Sequence, residues 1–97
     1  MPQLSKPEQR REPRRQVSCA ATIQDASRET NCLVRDISPA GVQLLVEKRP
    51  PAPRTPINVN ILRVGFVSAE VRWTDGNRLG ASFANVSPAM ADRINRL

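Results

Sequence analysis

Arginine and aspartate residues at two places in the chain have the types and spacing to bind an anionic nucleotide. Four arginines near the start form two overlapping RxxxR patterns, Arg10 with Arg14 and Arg11 with Arg15. A guanidinium group can hold phosphate oxygens, or the O6 and N7 edge of guanine, through two parallel hydrogen bonds. Residues 36–41 read Asp-Ile-Ser-Pro-Ala-Gly, and the carboxylate of this DxSxxG pattern can accept from guanine N1–H and N2–H₂. A guanine nucleotide presents both kinds of surface.

The composition agrees with an anionic partner and disfavours most enzyme classes. The 97 residues suit one small domain, and 15 Lys and Arg against 9 Asp and Glu give a net charge of +6. The chain contains no histidine, so the usual general base at neutral pH and the commonest nitrogen ligand of metals are both missing. We therefore expect a binding module that is not an enzyme and carries no cofactor or metal.

The two cysteines and the hydropathy predict the compartment. Cys19 and Cys32 lack metal-ligand spacing, and no secretory signal precedes them. We expect buried, reduced thiols, while their predicted positions on adjacent strands leave an oxidised pair open. No apolar run approaches the roughly 18–20 residues that span a bilayer. The predicted location is the cytoplasm, without membrane insertion.

Apolar alternation predicts a mostly β fold, a small six-stranded antiparallel barrel with a C-terminal helix. Residues 1–9 are polar and proline-bearing, which predicts a flexible tail. Ser87 as N-cap and Pro88 at the first helical position begin a helix over 87–97. The predicted strands cover 17–24, 30–37, 42–47, 57–63, 66–73 and 79–84, with the last hairpin turn at 75–77.

The second strand and the turn after it carry the DxSxxG pattern. Alternation would place Asp36 on the face of Cys32 and Val34, opposite Ile37, although the pattern there is mixed. Residues 38–41 predict a type I turn in which a left-handed Gly41 closes a three-residue hairpin loop. Asp36 can alternatively cap its own turn as an Asx residue, and the RxxxR segment can be a solvated basic tail.

RxxxR followed by DxSxxG resembles the PilZ family, bacterial modules that bind cyclic di-GMP, and the resemblance covers roughly residues 8–97. The order of strands and helix is similar, and residues 71–83 look like that family's closing hairpin. The resemblance implies a single domain over 10–97, with an arm at 10–16, a barrel at 17–84 and the helix at 87–97. The family places apolar residues at odd offsets after the second arginine, which favours Arg10 with Arg14 over the alternative register, Arg11 with Arg15.

The resemblance further implies a cyclic di-GMP receptor whose arm closes over the ligand and whose changed surface signals to a separate, unidentified protein of motility, polysaccharide synthesis or secretion. Arg35, Arg72, Arg78 and Trp73 are secondary candidates, each with a solvated surface or packing role as the alternative. The ligand-binding residues that the resemblance to the PilZ family implies are Arg10, Arg11, Arg14, Arg15, Asp36, Ser38 and Gly41.

Two other functions remain open at the level of sequence. A module of the same fold that has lost its ligand would act through protein interaction alone. A small nucleic-acid-binding barrel is compatible with the charge, but such proteins stack bases on aromatic side chains. With no Tyr, two Phe and one Trp the chain supplies few of these, and nucleic acid is the less favoured partner.

Overall fold

A closed antiparallel barrel of six strands forms the body of the protein, as predicted. The computed structural model describes residues 15–97, with side chains from Ser18 onward. Around the barrel the strands follow the order β1-β2-β3-β6-β5-β4. The elements are β1 Arg15–Gln24, β2 Glu29–Ser38, β3 Gly41–Val46, β4 Pro56–Ile61, β5 Gly65–Asp75, β6 Arg78–Phe83 and α1 Pro88–Asn95.

The apolar side chains of the alternating strand pattern fill the barrel interior. β4 is the clearest case, because Ile57, Val59 and Ile61 are buried while the residues between them are exposed. Helix α1 adds Ile94, which is fully buried in the same core. In the described range no helix is both long enough and apolar enough to cross a membrane.

The local signals for the last hairpin and for the helix are confirmed. Gly76 and Asn77 form the two-residue turn between β5 and β6, with Gly76 at a φ of 62°. The Asn77 side chain donates to the carbonyl of Val46 at 3.0 Å, which ties this turn to β3. Ser87 caps α1 by accepting from the N–H of Met90 at 3.1 Å.

A bulge in β2 changes which side chains face the core. Val34 pairs with Leu44 and Asp36 pairs with Gln43, so the register shifts at the residue between them, Arg35. Beyond the bulge Ile37 is fully buried, whereas Asp36 is only partly buried. The predicted alternation, which placed Asp36 on the face of Val34, is therefore wrong, because the extra residue reverses the two faces of the strand.

The two cysteines lie on neighbouring strands as free thiols. Ala21 pairs with Cys32, so Cys19 lies two residues along β1 from the partner of Cys32. Burial raises the pKa of Cys32 to about 12, and the nearby thiol of Cys19 adds to the shift. Burial also raises the pKa of Cys19, against the opposing charge of Arg63.

Both thiols should therefore react slowly in the folded protein, Cys32 most of all, because the thiolate is the nucleophile. Treatment with iodoacetamide at mildly alkaline pH, followed by peptide mass mapping, is expected to modify Cys19 first. Cys32 should be modified only in the presence of denaturant. Modification of Cys32 at the rate of an unfolded control would contradict the burial that raises its pKa.

Candidate functional site

A row of paired residues crosses the outer face of the barrel. Asp36 on β2 pairs with Gln43 on β3, Gln43 pairs with Gly80 on β6, and Gly80 pairs with Trp73 on β5. Neighbouring strands lie about 4.8 Å apart, so the row is roughly 15 Å long. It places a carboxylate, an amide and an indole on one continuous surface.

A groove of about 470 Å³ surrounds the Asp36 end of this row. The bulge in β2 places Arg35 at the groove, and Arg78 enters from the start of β6, where it pairs with Leu45. Two arginines and one partly buried aspartate therefore line the same groove. The groove has the charge to attract an anion and an acceptor for N–H donors. It is lined by Ser18, Arg35, Asp36, Gln43, Leu44, Leu45 and Arg78.

A second bulge positions Trp73 at the other end of the row. On β5 the register shifts between Val71 and Trp73, so that the indole lies over Gly80 and is 37% exposed. A Cβ on Gly80 would overlap the indole ring, which shows how closely the ring packs on the strand. Trp73 lines a cavity of about 310 Å³ that shares Gln43 with the groove.

Substitution of Gly80 by alanine should displace the indole, since the added methyl group occupies its place. Trp73 is the only tryptophan, so its fluorescence reports this site alone. The emission maximum is expected to shift to longer wavelength while circular dichroism still shows a folded barrel. Ser68→Ala, an exposed change elsewhere on β5, is the control, and an unchanged spectrum in Gly80→Ala would contradict the packing.

The turn between β2 and β3 differs from its prediction. Ser38 pairs with Gly41, so the loop has two residues, Pro39 and Ala40, and the predicted three-residue loop is wrong. Gly41 does not have a positive φ. A Cβ at Gly41 would lie 2.5 Å from the carbonyl oxygen of Ala81, so glycine is required by the close approach of β3 and β6. Ser38 is 4% exposed, and its hydroxyl accepts from the N–H of Ala40 at 3.1 Å.

Several predicted site residues cannot be placed relative to this groove. Arg10, Arg11 and Arg14 lie outside the described residues. Arg15 is the first residue of β1, two residues before the predicted start of the barrel at 17, and its backbone pairs with Ile37. The next pair along is Gln16 with Asp36. The last arginine of the motif therefore lies on the strand that runs beside Asp36, one residue from the partner of Asp36.

The secondary candidates divide between the two cavities. Arg35 and Arg78 line the groove, whereas Arg72 and Trp73 line the neighbouring cavity. Arg72 forms an exposed ion pair with Glu70, with 3.0 Å between Nη1 and Oε1.

Sequence reasoning did not single out Gln43 or Gly80. Both carried a signal: Gln43 is the only polar residue in the run Val-Gln-Leu-Leu-Val, and glycine within a strand often marks a close approach.

The fold is a small closed β-barrel with a groove lined by two arginines on its outer face. The family model for the PilZ domain matches residues 8–97, and the chain belongs to the PilZ family. PilZ domains are known as cyclic di-GMP-binding modules rather than enzymes.

Comparison with solved structures gives the same fold. One similar structure is the crystal structure of the PilZ domain of CeSA from a cellulose-synthesizing bacterium. It shares 14% identity, covers 87% of this chain and 92% of its own, and superposes with a TM-score of 0.67. No curated protein matches the sequence.

Proposed function

We propose that this protein is a cyclic di-GMP receptor that binds the dinucleotide at the groove around Asp36 and signals to a separate protein. The observation that carries the proposal is that partly buried Asp36 lines one groove with Arg35 and Arg78, on the strand next to the one that continues the RxxxR motif. Membership of the PilZ family supports the choice of ligand.

Each group at the groove has a role in this proposal. The Asp36 carboxylate accepts from the N1–H and N2–H₂ groups of one guanine, while Gln43 offers a donor and an acceptor to the same base or to ribose. Arg35 and Arg78 provide the charge that holds the phosphates. Trp73, at the far end of the row, exposes part of its ring for stacking.

The arm completes the site. Arg14 is bonded to Arg15, and Arg15 begins the strand that pairs with Asp36 and Ile37. Pro13 disfavours helical geometry at the preceding residue, so an extended arm is expected to fold over a ligand bound at the groove. Ordering of the arm would then change the surface that the partner protein reads.

We also propose that the protein is located in the bacterial cytoplasm. The compartment is proposed by analogy with the family. The partner is proposed to be a component of motility, polysaccharide synthesis or secretion, by analogy with the family alone.

Isothermal titration with cyclic di-GMP tests the proposal directly, with GTP, cyclic di-AMP and a single-stranded oligonucleotide as comparisons. We expect saturable binding to cyclic di-GMP, weaker binding at higher salt, and discrimination against cyclic di-AMP that salt does not remove, because guanine contacts are not screened like phosphate contacts. Equal affinity for both cyclic dinucleotides would show that the groove binds anions by charge attraction and does not recognise guanine. Binding to the oligonucleotide alone would replace the proposal with nucleic-acid binding.

A further inference from the structure

The tip of the β4–β5 hairpin presents two large apolar side chains to solvent. Leu62 is 60% exposed and Phe66 is 67% exposed, the highest values among the large hydrophobic residues that the structure describes. Ile61 pairs with Gly65, so Leu62 and Phe66 flank the last pair of the hairpin. Exposed apolar side chains that lie together on a surface are a feature of interaction sites, whereas single ones are common everywhere.

The tip is held rigidly. Val64, between the two exposed residues, is buried in the core with 1% exposure, and its N–H donates to the carbonyl of Ile61 at 2.9 Å. Arg93 of helix α1 donates to the carbonyl of Val64 at 3.4 Å. A rigid tip loses little conformational freedom when a partner binds.

Arg63 occupies the crest of this turn in an unfavourable backbone conformation. Its φ is 74°, in the turn closed by Ile61 and Val64, at the position where type II turns prefer glycine or asparagine. A long side chain held at a positive φ suggests a functional constraint. Arg63 forms no ion pair with any side chain that the structure describes, from Ser18 to Leu97.

The strand surface beside the tip carries no charge. Thr22 of β1 pairs with Asn60 of β4, and Asn58 pairs with Ser68 of β5, whose hydroxyl donates to Asn58 at 3.3 Å. All four side chains are polar and neutral, although 25% of the chain is charged. An apolar centre, a neutral polar rim and few charges together are the usual anatomy of a protein interface.

The charges near the hairpin tip argue against two kinds of binding partner, a second copy of this protein and an anionic membrane. A second copy would carry the same net charge of +6 and the same Arg63, which opposes self-association here. Binding to an anionic membrane requires a strongly basic face. This tip has only Arg63 and Arg93, and the Arg93 guanidinium is hydrogen-bonded to the carbonyl of Val64.

We propose that the hairpin tip docks a protein partner that packs apolar side chains against Leu62 and Phe66 and presents a carboxylate to Arg63. In the closed barrel β4 lies opposite β3, whereas β1 borders both regions: the N–H of Leu62 donates to the carbonyl of Ala20 at 3.2 Å, and Ser18 lines the groove. The proposed docking residues Leu62, Arg63 and Phe66 are none of those that line the groove, so this proposal does not rest on nucleotide binding.

Defined peptides test this chemistry. The probes are short synthetic peptides in which leucine alternates with glutamate, lysine or serine, and binding is read by fluorescence anisotropy. We expect the full chain to prefer the leucine–glutamate peptide. Leu62→Ser combined with Phe66→Ser should weaken that binding by about tenfold or more. Arg63→Gly, which relieves the backbone, should weaken it by about two- to fivefold and remove its salt dependence.

Arg54→Gly is the matched control, because Arg54 is also exposed and has a φ of 75° but lies before β4. Equal binding of the lysine peptide, no binding of any peptide, or full binding by the double serine variant would each overturn the proposal. Self-association in sedimentation velocity, or binding to phosphatidylglycerol vesicles, that is lost in the double serine variant would assign the tip to another occupant and also overturn it. Titration of that variant with cyclic di-GMP separates this outcome from failure of the nucleotide site.

Discussion

Replacement of Asp36 by alanine is expected to weaken cyclic di-GMP binding by about ten- to a hundredfold, the effect of losing one bidentate contact to a base. Asp36 lies partly buried on the outer face of the barrel, in the groove that Arg35 and Arg78 also line. Loss of its carboxylate removes the acceptor for guanine N–H groups and leaves the two arginines in place. The measurement is isothermal titration of the variant beside the wild-type protein.

The selectivity of the Asp36 variant is as informative as its affinity. Because the arginines still attract phosphate, the variant should bind cyclic di-GMP and cyclic di-AMP with similar weak affinity. Asp92→Ala on α1, where the carboxylate forms an exposed ion pair with Arg96, is the control that removes the same charge elsewhere. Wild-type affinity in the Asp36 variant, with the barrel folded, would remove Asp36 from the site.

Replacement of Gly41 by alanine is expected to destabilise the barrel by about 1–3 kcal/mol, the usual cost of overpacking. The new Cβ would lie 2.5 Å from the backbone oxygen of Ala81, so β3 and β6 must move apart where Gly41 pairs with Ser82. A domain of this size has a total stability of about 5–15 kcal/mol, so the loss should be plain in a urea unfolding curve.

Gly76→Asn is the matched control for Gly41→Ala. Gly76 has a φ of 62° and no atom within 4 Å of its added Cβ, and asparagine tolerates that conformation. The control should therefore change stability little. If Gly41→Ala unfolds at the same urea concentration as the wild type, the close approach of the two strands is not what requires glycine. Cyclic di-GMP binding should also weaken in Gly41→Ala, because Gln43 and Arg78 lie on the same two strands.

The sequence by itself determined the elements and their order, because the signals for them are local. Period-two alternation in β4, the Gly76-Asn77 turn and the Ser87 cap each act within a few residues, and each appears in the structure as predicted. The pair of motifs that resembles the PilZ family is equally a property of short segments, and the family match over residues 8–97 agrees with it.

The tertiary structure decided which side chains meet at the candidate site. The bulges at Arg35 and before Trp73 reverse the faces of β2 and β5, and they depend on how each strand pairs around a closed barrel rather than on local propensity. The pairing of β3 with β6 in the closed barrel places Gln43, Gly80 and Arg78 on the surface that carries Asp36. It also sets Gly41 against the backbone of Ala81. Alternation specifies a face only while the register is unbroken, so the residues beyond each bulge could be assigned only from the paired strands.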